Sequence, residues 1–305
     1  MISVIMSTYK ESEPQLRQSI ESILNQTYED FEYIIILDCP ENKLHKTIIE
    51  SYKEKDSRIR FYINEKNLGL TDSLNKGIQL AAGEFIARMD ADDISLPNRF
   101  ANQLKYIQDN DYDLIGGITQ MIDEDGDLIY SIQKVPTDYK KIKKILGYGQ
   151  CIAHPTWFGR KVVFKALNGY RKIPLCEDYD FTLRAVLKGY KISNLNKVVL
   201  KYRMTKNSIS RQNLFEQYLY MTYITKQYKL GNVTDIEIAK KYVESKNDSN
   251  ESKKYMQANV LFNLMLQEVS QKRLLAFVKH GFQLIFTSRY FLNKIYRFLV
   301  LSLYS

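Results

Sequence analysis

Cysteine is scarce in this chain, and what there is stands apart. Cys39, Cys151 and Cys176 are the three in 305 residues. No C-x-x-C pair occurs, so neither a zinc knuckle nor a thioredoxin-type dithiol is supported, and three reduced thiols are expected. Long apolar runs are missing too. The longest is about half a dozen residues, against the ~20 that a spanning helix needs, which excludes a polytopic membrane protein. Met1 leads straight into Ile2-Ser3-Val4-Ile5-Met6 with no basic region before it, so no secretory signal is expected. There is no internal repeat and no low-complexity tract. With 45% hydrophobic and 26% charged residues, the composition is that of a globular chain. A chain this long buries about 75% of its unfolded surface and needs no covalent staple.

Acidic residues run short only at one end. The net charge is +9. Residues 253–305 hold eight basic side chains (Lys253, Lys254, Lys272, Arg273, Lys279, Arg289, Lys294, Arg297) and one acid, Glu268. A uniformly basic nucleic-acid binder would spread its charge, so no nucleic-acid partner is expected.

The first 200 residues read as alternating strand and helix. Ser3–Ser7, Tyr33–Leu37, Arg58–Ile63 and Glu84–Met89 are short buried-strand patterns. Between them, Ser12-Glu13-Pro14-Gln15 forms a capping box for a helix carrying Leu16, Ile20, Ile23 and Leu24. Residues 42–55 are helical in pattern. Thr71 is expected to cap a third helix that Gly83 stops, and Ser95 and Pro97 to start a fourth. Strands joined by such helices imply a mostly parallel sheet with helices on both faces. Ligands on these sheets sit at the carboxyl ends of the strands, where Asp38 and the tetrad Asp90-Ala91-Asp92-Asp93 fall. From about residue 211 strand signals give way to helical periodicity, with 245–253 expected as a polar linker or loop. The expected division is 1–210, in halves 1–110 and 111–210, followed by a helical region 211–305.

Asp90-x-Asp92 directly follows a strand. Two carboxylates on one tight turn can share a hard divalent cation such as Mg²⁺ or Mn²⁺, although the bare spacing also suits a capping or surface role.

Here the sequence resembles a known family, the family 2 glycosyltransferases with the GT-A fold. The ordered matches are Val4-Ile5-Met6-Ser7-Thr8-Tyr9-Lys10-Glu11, Asp38, Asn67-Leu68-Gly69-Leu70, Asn75-x-Gly77, Ala82-Gly83-Glu84 and Ala87-Arg88-Met89-Asp90-Ala91-Asp92-Asp93. They continue through Pro97, Arg99, Phe100, His154-Pro155, Glu177-Asp178-Tyr179-Asp180, Leu183-Arg184, Gly189-Tyr190, Tyr202-Arg203 and Ser208-x-Ser210. The resemblance covers roughly two-thirds of the chain. It implies an α/β GT-A domain with a C-terminal helical extension. The implied activity is inverting transfer from a nucleotide-diphosphate sugar, UDP-linked by the same implication, to a saccharide hydroxyl. Bacterial capsule or O-antigen assembly is the implied setting, with a lipid-linked acceptor. Thr8, Tyr9, Glu11, Asp38, Asn67, Gly69, Arg88, Asp90 and Ala91 are the implied nucleotide-binding residues. Asp92, with Asp90, is the implied holder of Mn²⁺ or Mg²⁺. Asp178 is the implied general base. Glu177 is left to orient the acceptor or to support the start of a helix, whose dipole both acids would also complement. His154 is open to a phosphate or acceptor contact and to a structural role, and Trp157 to sugar stacking or to the core.

Two departures from the family pattern stand out. Thr205 replaces the histidine that many relatives carry two residues after Tyr-Arg, with Lys206 or Arg211 as electrostatic substitutes. Asp38-Cys39-Pro40-Glu41-Asn42 replaces an Asp-Gly-Ser type of turn. The tail from Lys272 carries Leu274, Val278, Phe282 and Ile285 on one stripe and Phe291, Ile295, Phe298 and Leu299 on another. A cationic amphipathic helix suits the anionic inner face of a cell membrane, which implies a cytoplasmic, peripheral enzyme. Packing on the catalytic domain or on a second copy in a homodimer would also cover these stripes. The rival functions are a metal-dependent nucleotidyltransferase, for which Ser7-Thr8-Tyr9-Lys10-Glu11 lacks a glycine-rich basic loop, and a non-catalytic glycosyltransferase-like scaffold, which would not need the acid pair at 177–178.

Overall fold

Four apolar runs, each too short for a helix and each flanked by polar turns, settle into neighbouring strands. In the computed structural model, which describes residues 1–205 and 213–304, β1 (Ile2–Thr8), β2 (Phe31–Leu37), β3 (Ile59–Ile63) and β4 (Phe85–Asp90) pair in parallel in the order β3-β2-β1-β4. Alternate side chains leave on opposite faces. Val4, Met6, Tyr33 and Ile35 pack with Leu16, Ile20 and Ile23 of α1 (Glu13–Leu24) and with Ile48 and Ile49 of α2 (Lys43–Lys53). On the other face Ile5 and Ile86 meet Leu74 and Ile78 of α3 (Leu70–Leu80). Burial on both faces is why these strands read as continuous apolar runs.

The sheet continues beyond β4 with mixed polarity. β5 (Ile94–Ser95) and α4 (Arg99–Asp109) lead to β6 (Leu114–Ile122), with β7 (Leu128–Ser131) as its hairpin partner. After α5 (Tyr139–Ile145), β8 (Phe158–Arg160) runs antiparallel between β4 and β6. α6 (Lys161–Ala166) and α7 (Glu177–Leu187) precede β9 (Ile192–Arg203), which lies parallel to β6 and antiparallel to β5. The result is the expected α/β class. Gly83 is fixed by close approach: its N–H donates to Ser3 Oγ at 2.8 Å, and a Cβ there would lie 2.7 Å from the Ser3 backbone nitrogen.

Three boundaries differ from expectation. The Ser12 capping box is present, with Gln15 Oε1 accepting from the Ser12 N–H at 3.1 Å. α3, however, begins at Leu70, not Thr71, and ends before Ala81, ahead of Gly83. Gly69 occupies its N-cap with φ +82°, a conformation that costs a side-chain-free residue little. α4 starts after Asn98, because Ser95 is taken by β5.

The chain divides into two compact units, the first holding all the strands described above. The second comprises Ile145–Gly149, Ile173–Cys176 and the helices α8 (Leu214–Lys229), α9 (Ile236–Glu244), α10 (Ser249–Ser270), α11 (Leu274–Thr287) and α12 (Arg289–Tyr304). Its core is aromatic: the rings of Phe215 and Tyr255 lie 5.2 Å apart, and those of Tyr255 and Phe291 5.1 Å. Buried Arg297 donates from Nε to the Tyr148 carbonyl at 2.6 Å. The polar run 245–253 is only half a loop. Asp248 accepts from the N–H groups of Asn250 and Glu251, and this cap launches α10 inside the run. Among the described residues no helix is long and apolar enough to cross a membrane. Lys206, Ser208, Ser210 and Arg211 lie outside the described residues.

Candidate active site

The parallel register of β2, β1 and β4 sets Thr8 against Leu37 and Ser7 against Asp90, so the segments following three strands emerge at one edge. At the end of β1, Glu11 closes the turn on itself. Its Oε2 accepts from the Thr8 hydroxyl at 2.6 Å and from the Tyr9 N–H at 2.8 Å. Buried His45, in the first turn of α2, supports this loop from behind. Its Nε2 donates to the Glu11 carbonyl at 2.8 Å, and its Nδ1 lies 3.0 Å from Thr8 Oγ1. Asn42 both caps α2 and donates to the Tyr9 carbonyl at 3.2 Å. The Tyr9 ring remains exposed, with the Lys10 ammonium over its face.

Asp38, just past β2, is buried and heavily used by its own chain. Oδ1 accepts from Asn64 Nδ2 at 2.7 Å and from the Leu68 N–H at 2.8 Å, and Oδ2 accepts from the Gly69 N–H at 2.8 Å. Asn67 Oδ1 shares that Gly69 N–H at 2.9 Å. A carboxylate has about four acceptor positions, so these three leave about one for a ligand N–H. The acid fixes the loop that starts α3, which explains why α3 begins at Leu70.

At the end of β4, Arg88 is buried and ion-paired with Asp90. Among the described residues its Nε has no hydrogen-bond partner. Ala91 is buried, and the Asp92–Asp93 turn is held from β9. Arg203 donates from Nε to the Asp92 carbonyl at 2.7 Å, and its backbone N–H donates to Asp93 Oδ1 at 2.8 Å. Burial, together with the charges of Asp90 and Glu11, pushes the Asp92 carboxyl up to about 7. Burial also drives Asp93 well above the usual carboxylate range. Arg99, wholly enclosed, donates to the Arg88 carbonyl at 2.8 Å and to the Pro155 carbonyl at 3.1 Å, tying β4 to the 154–157 turn.

Glu177 and Asp178 open α7. Burial and the neighbouring Asp178 charge raise Glu177 to about 7. Burial also raises Asp178, whose Oδ1 accepts from the Tyr179 N–H at 2.7 Å and whose Oδ2 has Gln150 Nε2 at 3.4 Å. His154 Nε2 lies 2.8 Å from the Tyr170 hydroxyl. Burial and the Arg88 charge hold this imidazole well below the ordinary histidine value, so it stays neutral. Trp157 is 0% exposed, its ring stacked 6.0 Å from Tyr170 and tilted 5.3 Å from Phe181. That corrects the sugar-stacking alternative: the indole has no free face, and it belongs to the core.

Arg88 is the meeting point. Its charge acts on Asp92, Asp93, Glu177, Asp178 and His154 as well as on its partner Asp90. The acids after β4 and the acids opening α7, nearly ninety residues apart, therefore share one electrostatic centre. His45, Asn64, Gln150 and Tyr170 escaped the sequence reading. Each is a single polar residue without periodicity, and the helix cap at Asn42 was the one local hint of His45. Among the described residues no group of three or more His, Cys, Asp or Glu side chains is arranged to hold a metal. A Mg²⁺-like ion asks for less, because it keeps waters and binds through one or two carboxylates plus substrate phosphates. Asp92 fits that role better than Asp90, which Arg88 already engages.

Comparison with known proteins places the chain in a family. Residues 3–167 match the model of the family described as Glycosyl transferase family 2. An uncharacterized glycosyltransferase of Methanocaldococcus jannaschii is 39% identical over 229 residues, covering 75% of this chain and 79% of the relative. The O-antigen biosynthesis glycosyltransferase WbnJ of Escherichia coli is 38% identical over 219 residues, covering 70% of this chain and 84% of the relative. Among solved structures, S. aureus TarS 1–349 in complex with UDP superposes with a TM-score of 0.57 at 20% identity, over 79% of this chain and 69% of that one, and shares the fold.

Proposed function

The chain belongs to glycosyl transferase family 2, and from that premise we propose that it moves a sugar from a UDP-sugar to a hydroxyl of a saccharide acceptor, inverting the anomeric carbon. The observation that carries this reading is Arg88, buried, paired with Asp90 and acting electrostatically on both acid groups, with no partner for Nε among the described residues. A buried guanidinium donor left unpaired is costly, and a diphosphate oxygen would satisfy it with a charge-assisted hydrogen bond. The Thr8–Glu11 turn and the Asp38-anchored loop 64–69 flank the place where base and ribose would lie, with Asn67, Gly69 and Ala91 lending backbone.

Asp178 acts as general base. The acceptor O–H gives its proton to the Asp178 carboxylate while the oxygen attacks the anomeric carbon. The bond from that carbon to the diphosphate oxygen breaks, and UDP leaves with the electron pair. A carboxylate raised toward the working pH is a better base than one at the free value. Glu177 shares the proton equilibrium and orients the acceptor, with neutral His154 nearby. Mn²⁺ or Mg²⁺ held by Asp92 and Asp90 would supply neutralisation of the charge gathering on the diphosphate.

WbnJ's role in O-antigen synthesis supports a bacterial surface polysaccharide as the product, and O-antigen or capsule assembly on a lipid-linked acceptor is part of the proposal. The cationic C-terminal helices suit a peripheral place on the inner face of the cell membrane, with a homodimer as the competing use of those helices. The test is a melting-temperature screen of UDP-, GDP- and dTDP-sugars with and without Mn²⁺. UDP-sugars should raise the melting temperature most, and more so with Mn²⁺. If no nucleotide sugar moves it under either condition, the reading fails.

A further inference from the structure

α11 is one-sided in an unusual sense: its apolar stripe faces out. Leu274, Leu275, Val278, Phe282, Ile285 and Phe286 share one side of the helix, and all are exposed, Leu275 by 90% and Phe286 by 74%. The opposite side does the packing. Leu284 is buried, a Cβ at Gly281 would lie 3.3 Å from the Met265 methyl of α10, and His280 Nδ1 pairs with Glu268 at 2.8 Å. Isolated exposed leucines are ordinary, but a continuous apolar ridge of this kind marks a contact surface. An open groove of about 680 Å³ between α10 and α11 extends it, lined by Val260, Leu261, Phe282 and Phe286 with Gln257, Gln283 and Thr287.

We propose that this ridge docks on an anionic phospholipid bilayer, with α11 lying in the plane of the interface. The inference rests on the membrane-surface part of the function proposed above and names its seat. Charge selects the occupant. Lys272 and Arg273 precede the ridge, Lys279 borders it and Arg289 follows it, all exposed. Residues 269–305 contain no Asp or Glu, and Glu268 is consumed by His280. A second copy meeting this face through a twofold axis would bring two cationic rims together, whereas anionic headgroups complement them. Long basic side chains can keep their stems on the apolar surface while their heads reach the phosphates. The helix has 14 residues against the ~20 needed to span, so it lies on the membrane instead of crossing it. α12 contributes less, since Phe291 and Arg297 turn its other side into the unit.

The full chain is sedimented with phosphatidylcholine vesicles, with and without phosphatidylglycerol, at low and high salt. The expected result is binding that requires phosphatidylglycerol and weakens with salt. The double variant Leu275→Glu/Phe286→Glu should bind more than tenfold more weakly. Lys272→Gln/Arg273→Gln, which leaves the ridge intact, should bind roughly 25-fold more weakly at about a fivefold loss per charge. UDP affinity and melting temperature, measured on the same variants, report folding and the donor site separately, so failure of the transferase reading leaves this test standing. Wild-type protein that stays in the supernatant with both vesicles overturns the proposal. So does a dimer that Leu275→Glu/Phe286→Glu dissolves while vesicle binding is unchanged, which would assign the ridge to a second copy.

Discussion

Arg203, the last residue of β9, donates its Nε–H to the carbonyl of Asp92 at 2.7 Å and so holds the acidic turn after β4 from 111 residues away. The same guanidinium donates from Nη1 to the carbonyls of Asp123 and Glu124 and from Nη2 to Gln18 Oε1 at 2.7 Å. A lysine ammonium cannot fan out to so many partners. Arg203→Lys should therefore cost about 2–4 kcal/mol in urea unfolding, because several part-buried carbonyls lose their donor. It should also weaken Mn²⁺-dependent UDP binding. A variant with native stability and native UDP affinity would show that other contacts hold the turn.

Asp178→Asn keeps the side chain's size and removes its ability to take a proton. Turnover should fall by ~10²–10⁴-fold. UDP affinity by calorimetry should change little. Equal losses in turnover and UDP binding would move Asp178 from proton transfer to donor binding.

Asp92 supplies a stability prediction with a definite sign. Its folded pKa is about 7, above the ~3.9 of a free carboxyl, so between those values the native state holds a proton that the unfolded chain has released. Stability conferred by the neutral form is complete below about pH 4 and is lost as pH rises toward 7. Asp93 pushes the same way. The melting temperature of the ligand-free protein should fall across this window. Asp92→Asn should lessen the fall and raise the melting temperature at pH 8 by several degrees, at about 2–4 °C per kcal/mol. Asp92→Asn should also abolish the Mn²⁺ effect on UDP binding. A melting temperature that climbs from pH 4 to 7 would contradict the electrostatic picture.

The rate should show the complementary limb. A base must be ionised to work, and Glu177 titrates at about 7 beside a raised Asp178. kcat/KM should rise with pH as the pair ionises, above the range of a free carboxyl, and then level. Glu177→Gln should move that limb to lower pH, since it deletes a competing acid from the pair. A limb unmoved by Glu177→Gln would separate the two acids.

The parallel half of the sheet was legible because β1, β2 and β4 are buried on both faces and announce themselves as apolar runs. β5 and β8 have two and three residues, too few for any alternation to register, so the mixed half was not. The start of α3 was misread because Gly69 is set by Asp38, a partner 31 residues away that no local rule includes. The polar run at 245–253 concealed a helix start, since Asp248 serves equally well in a loop and in a cap. Trp157 offered no sequence cue to distinguish a sugar platform from a core filler. The rings of His154, Tyr170 and Phe181 around it decide the matter. The acids at 90, 92, 177 and 178 were visible as motifs, but their common dependence on Arg88 is a property of the folded chain.

Asp38 also bears on how this fold can be re-engineered. The stretch 64–69 looks like a self-contained surface loop that could be exchanged between homologous enzymes. It is instead stapled at three points to one carboxylate at the end of β2, the strand beside the one that leads into it. A chimaera that imports the loop without its acid inherits amides with nowhere to donate, so the transplantable module is strand end and loop together.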